Sequence, residues 1–245
     1  MQLAAKPFLK EVSVAPAAGT DLEKYPYNLP VVRKLGRLKF HADVTFFVGE
    51  NGSGKSTVLE AIALALGYGP EGGTKALKLL KTTESVSPLS QSLKLVKSHE
   101  RPTDGYFLRA ESFFNVATYM DETGYLGGYG GSLHEKSHGE AFLSLLTHKL
   151  VGHGLYLLDE PEAALSPQRQ LAALIAIHHL VHQASQFIIA THSPILLAYP
   201  NAKILRFDES GIKAVKYEDT EHYSVTRDFL NNYPRRLEQL FGSEE

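Results

Sequence analysis

A glycine-rich stretch between residues 49 and 57 constrains this chain more than any other feature. Its sequence is GENGSGKST, which fits the phosphate-binding pattern G-x-x-x-x-G-K-[ST]. Glycines let the backbone turn successive N–H groups inward toward phosphate oxygens. Lys55 is expected to reach the β- and γ-phosphates of a nucleotide, and the Ser56 hydroxyl to bind Mg²⁺. The candidate phosphate-binding residues are Gly49, Asn51, Gly52, Ser53, Gly54, Lys55, Ser56 and Thr57.

The segments on either side of this glycine loop support the same interpretation. Residues 44–48 form a short β-branched and aromatic run that is typical of a buried strand. Residues 58–66 have the pattern of a helix, which Gly67, Gly69 and Pro70 then end. A strand, a glycine loop and a helix in this order direct a helix N-terminus at phosphate. This order disfavours the alternative of a glycine-rich turn without a ligand.

The composition is that of a globular protein. The chain has 245 residues, a net charge of −2, 43% hydrophobic residues and no cysteine, which excludes disulfides and thiolate metal sites. No apolar run approaches the 18 residues of a membrane span, and the N-terminus lacks a signal-peptide pattern. We therefore expect a cytoplasmic protein without stable membrane attachment. The net charge offers no overall attraction to nucleic acid, although a local basic patch stays possible.

The N-terminal third contains further strand patterns around the glycine loop. Residues 8–14 alternate as a strand does, and residues 38–40 are expected to pair as a hairpin with residues 44–48. Tyr25 or Tyr27 could stack on an adenine, but an ordinary packed tyrosine is the alternative that we favour. Residues 70–104 are predicted to be irregular or weakly helical.

Two later strands end in polar residues. The apolar run 154–158 is followed by Asp159 and Glu160, and the run 186–190 leads to His192. Strands that are apolar on both faces belong in the middle of a parallel sheet, and such sheets bind ligands at the carboxyl ends of their strands. We therefore expect these three side chains to lie near the glycine loop.

Each of these side chains suits one task in phosphoryl transfer to water. Asp159 is predicted to hold Mg²⁺ through water or Ser56, since Mg²⁺ keeps several of its waters. Glu160 is predicted to orient and polarise the attacking water. His192 is predicted to form a hydrogen bond to the γ-phosphate.

The rest of the C-terminal half predicts helices and one hairpin. Ser166 and Pro167 are typical of a helix start. The face expected to be buried in that helix comprises Leu171, Leu174, Ile175, His178 and Val181. Residues 204–217 indicate a hairpin, and the tail from His222 to Phe241 indicates one or two helices broken at Pro234.

Together these motifs resemble those of ATP-binding-cassette (ABC) ATPases. The chain is most similar to small stand-alone bacterial AAA-family ATPases related to DNA-repair and chromosome-organising cassette proteins. The resemblance is carried by residues 44–66, 104–119 and 132–200, above all by Ser132–Glu140 and Leu157–Pro167. It implies an α/β fold with a mainly parallel core sheet, helices on both faces and an N-terminal antiparallel β subdomain. It also implies a single domain over residues 1–245, with a short helical or loop insertion at about 67–150.

The resemblance also implies a second set of site residues. Ser137 and Gly139 match the signature loop, which contacts the γ-phosphate bound to a partner subunit, and Glu140 matches an acidic variant of its glutamine. His138 stands where the usual pattern has glycine. Ser166 replaces the aspartate of the interface loop. The glutamine expected near the metal is missing, and Glu111 is the nearest candidate to replace it.

The resulting expectation is an ATPase that binds ATP and Mg²⁺ and dimerises when ATP is bound. One alternative is the nucleotide-binding subunit of a membrane transporter, which would need a helical arm with a glutamine loop in residues 67–131. Another is an ATPase module acting on nucleic acid or with a nuclease or toxin partner. A nucleotide-binding module without hydrolysis is disfavoured by Glu160.

Overall fold

The computed structural model describes residues 6–75, 87–110, 113, 118 and 137–242. In chain order, the strands of this part of the chain are β1 (Leu9–Val14), β2 (Leu38–Lys39), β3 (Val44–Val48), β4 (Leu93–Lys97), β5 (Asp104–Arg109), β6 (Gly154–Asp159), β7 (Gln186–Ala190), β8 (Lys203–Asp208) and β9 (Gly211–Val215).

The α-helices of the described residues are α1 (Pro30–Arg33), α2 (Lys55–Ala65), α3 (His138–Ser144), α4 (Pro167–His182), α5 (Pro194–Leu197) and α6 (Glu221–Phe241). Helix α3 continues directly into a π-helical turn at Leu145–Lys149. Short 3₁₀ turns occupy Pro88–Ser92, Pro161–Ala164 and Tyr217–Asp219.

The core of the protein is a six-stranded sheet with the strand order β5-β6-β7-β3-β8-β9. Its first five strands are parallel, and β9 pairs antiparallel with β8 at one edge. Every residue of β3, β6 and β7 is buried, because both faces of a parallel sheet are covered. The predicted mainly parallel core sheet is confirmed.

Alternate residues of the core sheet face two separate hydrophobic clusters. Phe46, Tyr156 and Phe187 pack on one side with residues of α3 and α4. Phe47 and Leu157 pack on the other side with α2 and the N-terminal strands. Helices therefore cover both faces, as the sequence predicted.

The N-terminal antiparallel sheet is confirmed, but two of its details differ from the predictions. Its strand order is β2-β1-β4. Strand β2 pairs with β1 and not with β3, so the predicted hairpin is wrong. Residues 93–97, predicted to be irregular, form β4 against β1. Both errors arise because pairing partners distant along the chain are chosen by packing over α2 and not by local sequence.

The buried face of α4 also differs from the prediction. The buried residues are Ala173, Ala176, Ile177 and Leu180. Leu171 and Ile175, expected to be buried, are 49% and 72% exposed. Leu174 and Val181 of the predicted face are partly buried against the core, so the prediction is right for part of that face.

The C-terminal segment forms the predicted hairpin and a helix. Strands β8 and β9 pair in register around the turn at Asp208 and Gly211. Helix α6 is interrupted at Asn232, whose backbone angles are not helical (φ −130°, ψ 22°), and this confirms the break predicted near Pro234. Among the residues that the structure describes, no helix is both long enough and apolar enough to cross a membrane.

Candidate functional site

The glycine loop has a backbone that only glycine can adopt at two positions. Gly49 has φ 145°, and a Cβ there would lie 2.3 Å from the carbonyl oxygen of Phe207. Gly54 has φ 92°, and a Cβ there would lie 2.7 Å from Val31. The loop therefore depends on its glycines both for conformation and for close packing.

Helix α2 begins directly at the end of this loop. Its N-cap is Gly54, and no side chain caps the helix. The first N–H groups of a helix have no partner inside the helix, so they are available to an anion placed in the loop. In addition, the Ser53 hydroxyl is buried without a hydrogen-bond partner among the described residues. The loop thus fits a polyphosphate group.

Lys55 holds a positive charge over the loop. Its side chain is buried, and its Nζ donates hydrogen bonds to the carbonyl oxygens of Gly49 and Glu50, each at 2.9 Å. Burial lowers the pKa of Lys55, while the nearby carboxylates of Glu160 and Asp159 act in the opposite direction. A buried cation of this kind is suited to binding phosphate.

Ser56 and Asp159 bring two oxygen atoms together beside the loop. The Ser56 hydroxyl donates a hydrogen bond of 2.9 Å to Oδ1 of Asp159, the last residue of β6. Asp159 itself is buried. A hydroxyl and a carboxylate at this spacing are oxygen ligands of the kind that Mg²⁺ prefers. The residues present therefore fit the predicted metal.

Glu160 and His192 lie at the ends of neighbouring strands. Glu160 follows β6 in a left-handed conformation, with φ 49°, and its N–H donates to the carbonyl oxygen of Ala190. His192 Nε2 lies 3.6 Å from Glu160 Oε1. Burial, followed by the charge of Lys55 and by His222, lowers the pKa of His192 to about 4. At neutral pH this imidazole is therefore uncharged and has a single N–H to donate.

Glu162 is a site residue that the sequence analysis missed. Its carboxylate accepts hydrogen bonds from the Thr191 hydroxyl at 2.7 Å and from the His192 N–H at 2.5 Å. Burial raises the pKa of Glu162. These bonds tie the turn after β6 to the segment after β7, and so they hold Glu160 and His192 side by side. In the sequence, Glu162 could be recognised only as a third acidic residue close to Asp159 and Glu160, because it belongs to no motif.

The predicted signature residues form a separate cluster at the start of α3. Ser137 is the N-cap, and its N–H and hydroxyl donate to Glu140 at 2.8 and 2.6 Å. Arg169 of α4 donates to the Ser137 hydroxyl at 3.1 Å and pairs with Glu140 at 3.1 Å. A Cβ at Gly139 would lie 2.6 Å from the Arg169 guanidinium. Arg169, absent from the sequence-based site, thus joins all three signature residues.

Comparisons with known proteins agree with this fold. A family model described as an AAA domain matches residues 32–115. Among solved structures, cbiO1 from Clostridium perfringens, part of the ABC transporter complex cbiONQ, is 16% identical with a TM-score of 0.50. The alignment covers 93% of this chain and 96% of that one. The chain has the fold of an ABC-type P-loop ATPase.

Other structures with this ABC-type fold are similar at lower scores. The SMC head domain from Thermotoga maritima is 15% identical with a TM-score of 0.43, and the alignment covers 85% of this chain and 98% of that one. MJ1267, an ATP-binding cassette of an ABC transporter in its ADP conformation, is 18% identical with a TM-score of 0.46. That alignment covers 96% of this chain and 99% of MJ1267. No curated protein sequence matches this chain.

The two tyrosines that precede the glycine loop differ in burial and in hydrogen bonding. Tyr27 is buried, and its hydroxyl lies 2.6 Å from that of Ser92, so it is a packed tyrosine. Tyr25 is 61% exposed, and its hydroxyl lies 3.1 Å from the Thr57 hydroxyl at the start of α2. Of the two tyrosines, Tyr25 is therefore the exposed one beside the start of α2.

Three other predicted positions have simple outcomes. His138 is the exposed first residue of α3. Ser166 caps α4 by accepting a hydrogen bond from the N–H of Arg169. Glu111 lies outside the described residues.

A cavity of about 670 Å³ flanks the glycine loop on the side of the β8–β9 hairpin. Its lining includes Glu50 and Gly52 of the loop and Arg206 and Asp208 of β8. Lys55, Asp159 and His192 are not among its lining residues. The cavity size is within the range of small-molecule pockets, and residues 49–53 of the glycine loop are part of its lining.

Proposed function

We propose that this chain binds ATP and Mg²⁺ and hydrolyses the ATP to ADP and phosphate. The observation that carries the proposal is the meeting of two pairs, Ser56 with Asp159 and Glu160 with His192, at the carboxyl edge of adjacent strands. This is the edge at which parallel sheets bind ligands. The proposal assigns the activity to a single domain over residues 1–245, with its insertion at about 67–150.

Binding rests on the glycine loop and the residues that follow it. The N–H groups at the start of α2 and the Lys55 ammonium would bind the phosphates. Ser56 and Asp159 would hold Mg²⁺, which when bound offsets charge on the β- and γ-phosphates. Asn51, Ser53 and Thr57 complete the loop around these groups.

Hydrolysis rests on Glu160 and His192. The Glu160 carboxylate is proposed to orient the attacking water and accept its proton. His192, uncharged at neutral pH, is proposed to donate its single N–H toward the γ-phosphate. Glu162 supports both residues by joining the segments that carry them.

We further propose that two copies of the chain form an ATP-dependent dimer. Ser137, Gly139 and Glu140 of one copy would contact the γ-phosphate bound by the other. Such an interface is isologous, so each copy donates and receives the same patch. The cluster that Arg169 organises supports this role, because it presents the Ser137 hydroxyl at the N-terminus of α3.

Replacing Glu160 by glutamine tests the proposed hydrolysis. Glu160→Gln keeps the shape but removes the base, so kcat should fall by about 10²-fold or more. ATP affinity, measured by calorimetry, should change by less than about threefold. Glu238→Gln, on the exposed part of α6, is the control and should hydrolyse ATP normally. Turnover of Glu160→Gln within about twofold of the unmodified protein would show that Glu160 is not the base.

The partner of the ATP cycle is proposed to be nucleic acid or a nuclease or toxin protein in the cytoplasm. Phosphate release should be measured with DNA, RNA and anionic vesicles in parallel. Stimulation by a nucleic acid alone supports this proposal. Recovery of the native protein in membranes, with release only by detergent, would instead favour the transporter subunit.

A further inference from the structure

His192 has a second histidine beside it that no motif predicted. His192 Nδ1 lies 2.9 Å from Nε2 of His222, and the two rings meet edge to face with centroids 5.0 Å apart. His192 follows β7, whereas His222 lies in the first turn of α6, thirty residues later. The fold therefore brings these histidines together from two separate elements.

Three contacts order the start of α6, and one of them joins it to the segment after β7. Thr220 is buried and caps α6 by accepting a hydrogen bond from the N–H of Tyr223. The Tyr217 hydroxyl donates to the carbonyl oxygen of Pro194 at 2.8 Å. The rings of Tyr217 and Tyr223 pack with centroids 4.5 Å apart. The position of His222 is thus fixed by its surroundings as well as by its bond to His192.

Both imidazoles are uncharged at neutral pH. Burial first, and then the charge of Lys55, lowers the pKa of each ring, to about 4 for His192. A neutral imidazole has one N–H donor and one nitrogen acceptor. In the bond between the two rings, one histidine must therefore donate and the other accept.

The surroundings of His192 decide the direction of this bond. If His192 donated from Nδ1, the lone pair of its Nε2 would face the Glu160 carboxylate, whose Oε1 lies 3.6 Å away. If His222 donates instead, His192 carries its proton on Nε2 and directs it toward that carboxylate. The second arrangement replaces a repulsion between two acceptors by an attraction.

We propose that His222 is a positioning residue that donates its Nε2–H to Nδ1 of His192 and so fixes the His192 tautomer that carries a proton on Nε2. The Nε2 atom of His192 is buried and has no hydrogen-bond partner among the described residues. It is thus left available to the γ-phosphate. The tautomer assignment stands on the two histidines and the neighbouring Glu160 carboxylate, whereas its effect on turnover rests on the proposed hydrolysis.

The tautomer is tested by nitrogen NMR of the full-length protein labelled at histidine, without nucleotide at pH 7.5. His192 signals are assigned by their loss in His192→Gln. We expect an unprotonated Nδ1 and a protonated Nε2 in the unmodified protein. In His222→Ala the His192 signals should shift toward a mixture of tautomers. A protonated Nδ1 in the unmodified protein, or an unchanged tautomer in His222→Ala, overturns the proposal.

Kinetics test the consequence of the fixed tautomer. We expect His222→Ala to lower kcat by about 10-fold, the lower end of the effect of removing a histidine's hydrogen-bond partner in metal sites. The affinity for ATP should change by less than about twofold. His222→Gln keeps an N–H donor at a similar reach and should restore kcat to within about threefold.

A matched control separates this role from a general loss of structure. His178 and His182 of α4 form another histidine pair, with their Nε2 atoms 3.0 Å apart. His182→Ala should leave kcat unchanged. Equal losses in His222→Ala and His222→Gln would overturn the positioning role. Absence of turnover in the unmodified protein would contradict the proposed hydrolysis, while the NMR result would still decide the tautomer.

Discussion

The nucleotide face and the signature segment are held in place by different kinds of contact. In the proposed dimer, the nucleotide face of one copy and the signature segment of the other contact the same γ-phosphate. The nucleotide face consists of residues 49–57, Asp159, Glu160 and His192, and it lies at the ends of three buried strands. The signature segment, Ser137–Glu140, lies at the start of α3 and is held by polar side chains. The first is fixed by the core sheet and the second by contacts near the surface.

This difference shows that side chains are positioned more firmly by buried strands than by polar contacts near the surface. The strands β3, β6 and β7 are buried along their whole length and paired in register, so the residues that follow them have little freedom. Arg169, by contrast, holds Ser137 and Glu140 through hydrogen bonds and an ion pair that are partly exposed. Exposed ion pairs contribute little stability, typically ~0–1 kcal/mol. We therefore expect substitutions in the nucleotide face to abolish chemistry, and those in the signature segment to change assembly.

The largest expected effect is that of removing Lys55. Lys55→Ala removes the positive charge of the nucleotide face, so ATP binding or hydrolysis should be abolished. Calorimetry with ATP and phosphate-release assays measure the two losses. Lys203→Ala is the matched control, since Lys203 also donates to a backbone carbonyl, that of Lys39 at 2.7 Å. Normal affinity and turnover in Lys55→Ala would remove the basis for the site.

The second effect concerns the signature segment. Ser137→Arg places a large cation where the γ-phosphate contact of a second copy is expected, so ATP-dependent dimerisation should be lost. Light scattering is performed with and without Mg-ATP in the Glu160→Gln background, which slows hydrolysis. We expect Glu160→Gln to change from monomer to dimer and the double variant to stay monomeric. Ser224→Arg, an exposed change on α6, should still dimerise, and a mass independent of nucleotide in all variants would refute the dimer.

The third effect concerns Tyr25, which lies beside Thr57 at the start of α2 and is exposed. Tyr25→Ala should weaken ATP binding by about tenfold, since stacking of a base on an aromatic ring contributes ~1–3 kcal/mol. Tyr27→Phe is the control and should leave the affinity for ATP unchanged. If Tyr25→Ala binds ATP and inorganic triphosphate with unaltered affinities, the stacking role is wrong.

The smallest effect is expected for Arg169. Arg169→Ala removes a hydrogen bond to Ser137 and an ion pair with Glu140, and should weaken the ATP-dependent dimer by about fivefold, in line with ~1 kcal/mol. ATP affinity of the monomer should not change. The control is Arg236→Ala, which breaks the exposed ion pair with Asp228. If Arg169→Ala loses ATP-dependent dimerisation as completely as Ser137→Arg does, the contacts of Arg169 hold the signature segment more firmly than expected for partly exposed groups.

The sequence alone predicted the elements whose patterns are local. The glycine loop, the buried strands that end in Asp159 and precede His192, and the α4 start at Ser166 were all predicted because spacing and residue type suffice to specify them. The positions of the candidate catalytic side chains followed from one rule, that parallel strands present their carboxyl ends at a common edge.

Only the tertiary structure decided the contacts between distant segments. The pairing of β2 with β1, the buried face of α4 and the roles of Glu162, Arg169 and His222 depend on which surfaces meet in the folded chain. His222, for example, meets His192 because α6 begins against the segment after β7. Local sequence specifies what each segment can form, whereas packing selects its neighbours, since burial of apolar surface is shared among segments far apart in the chain.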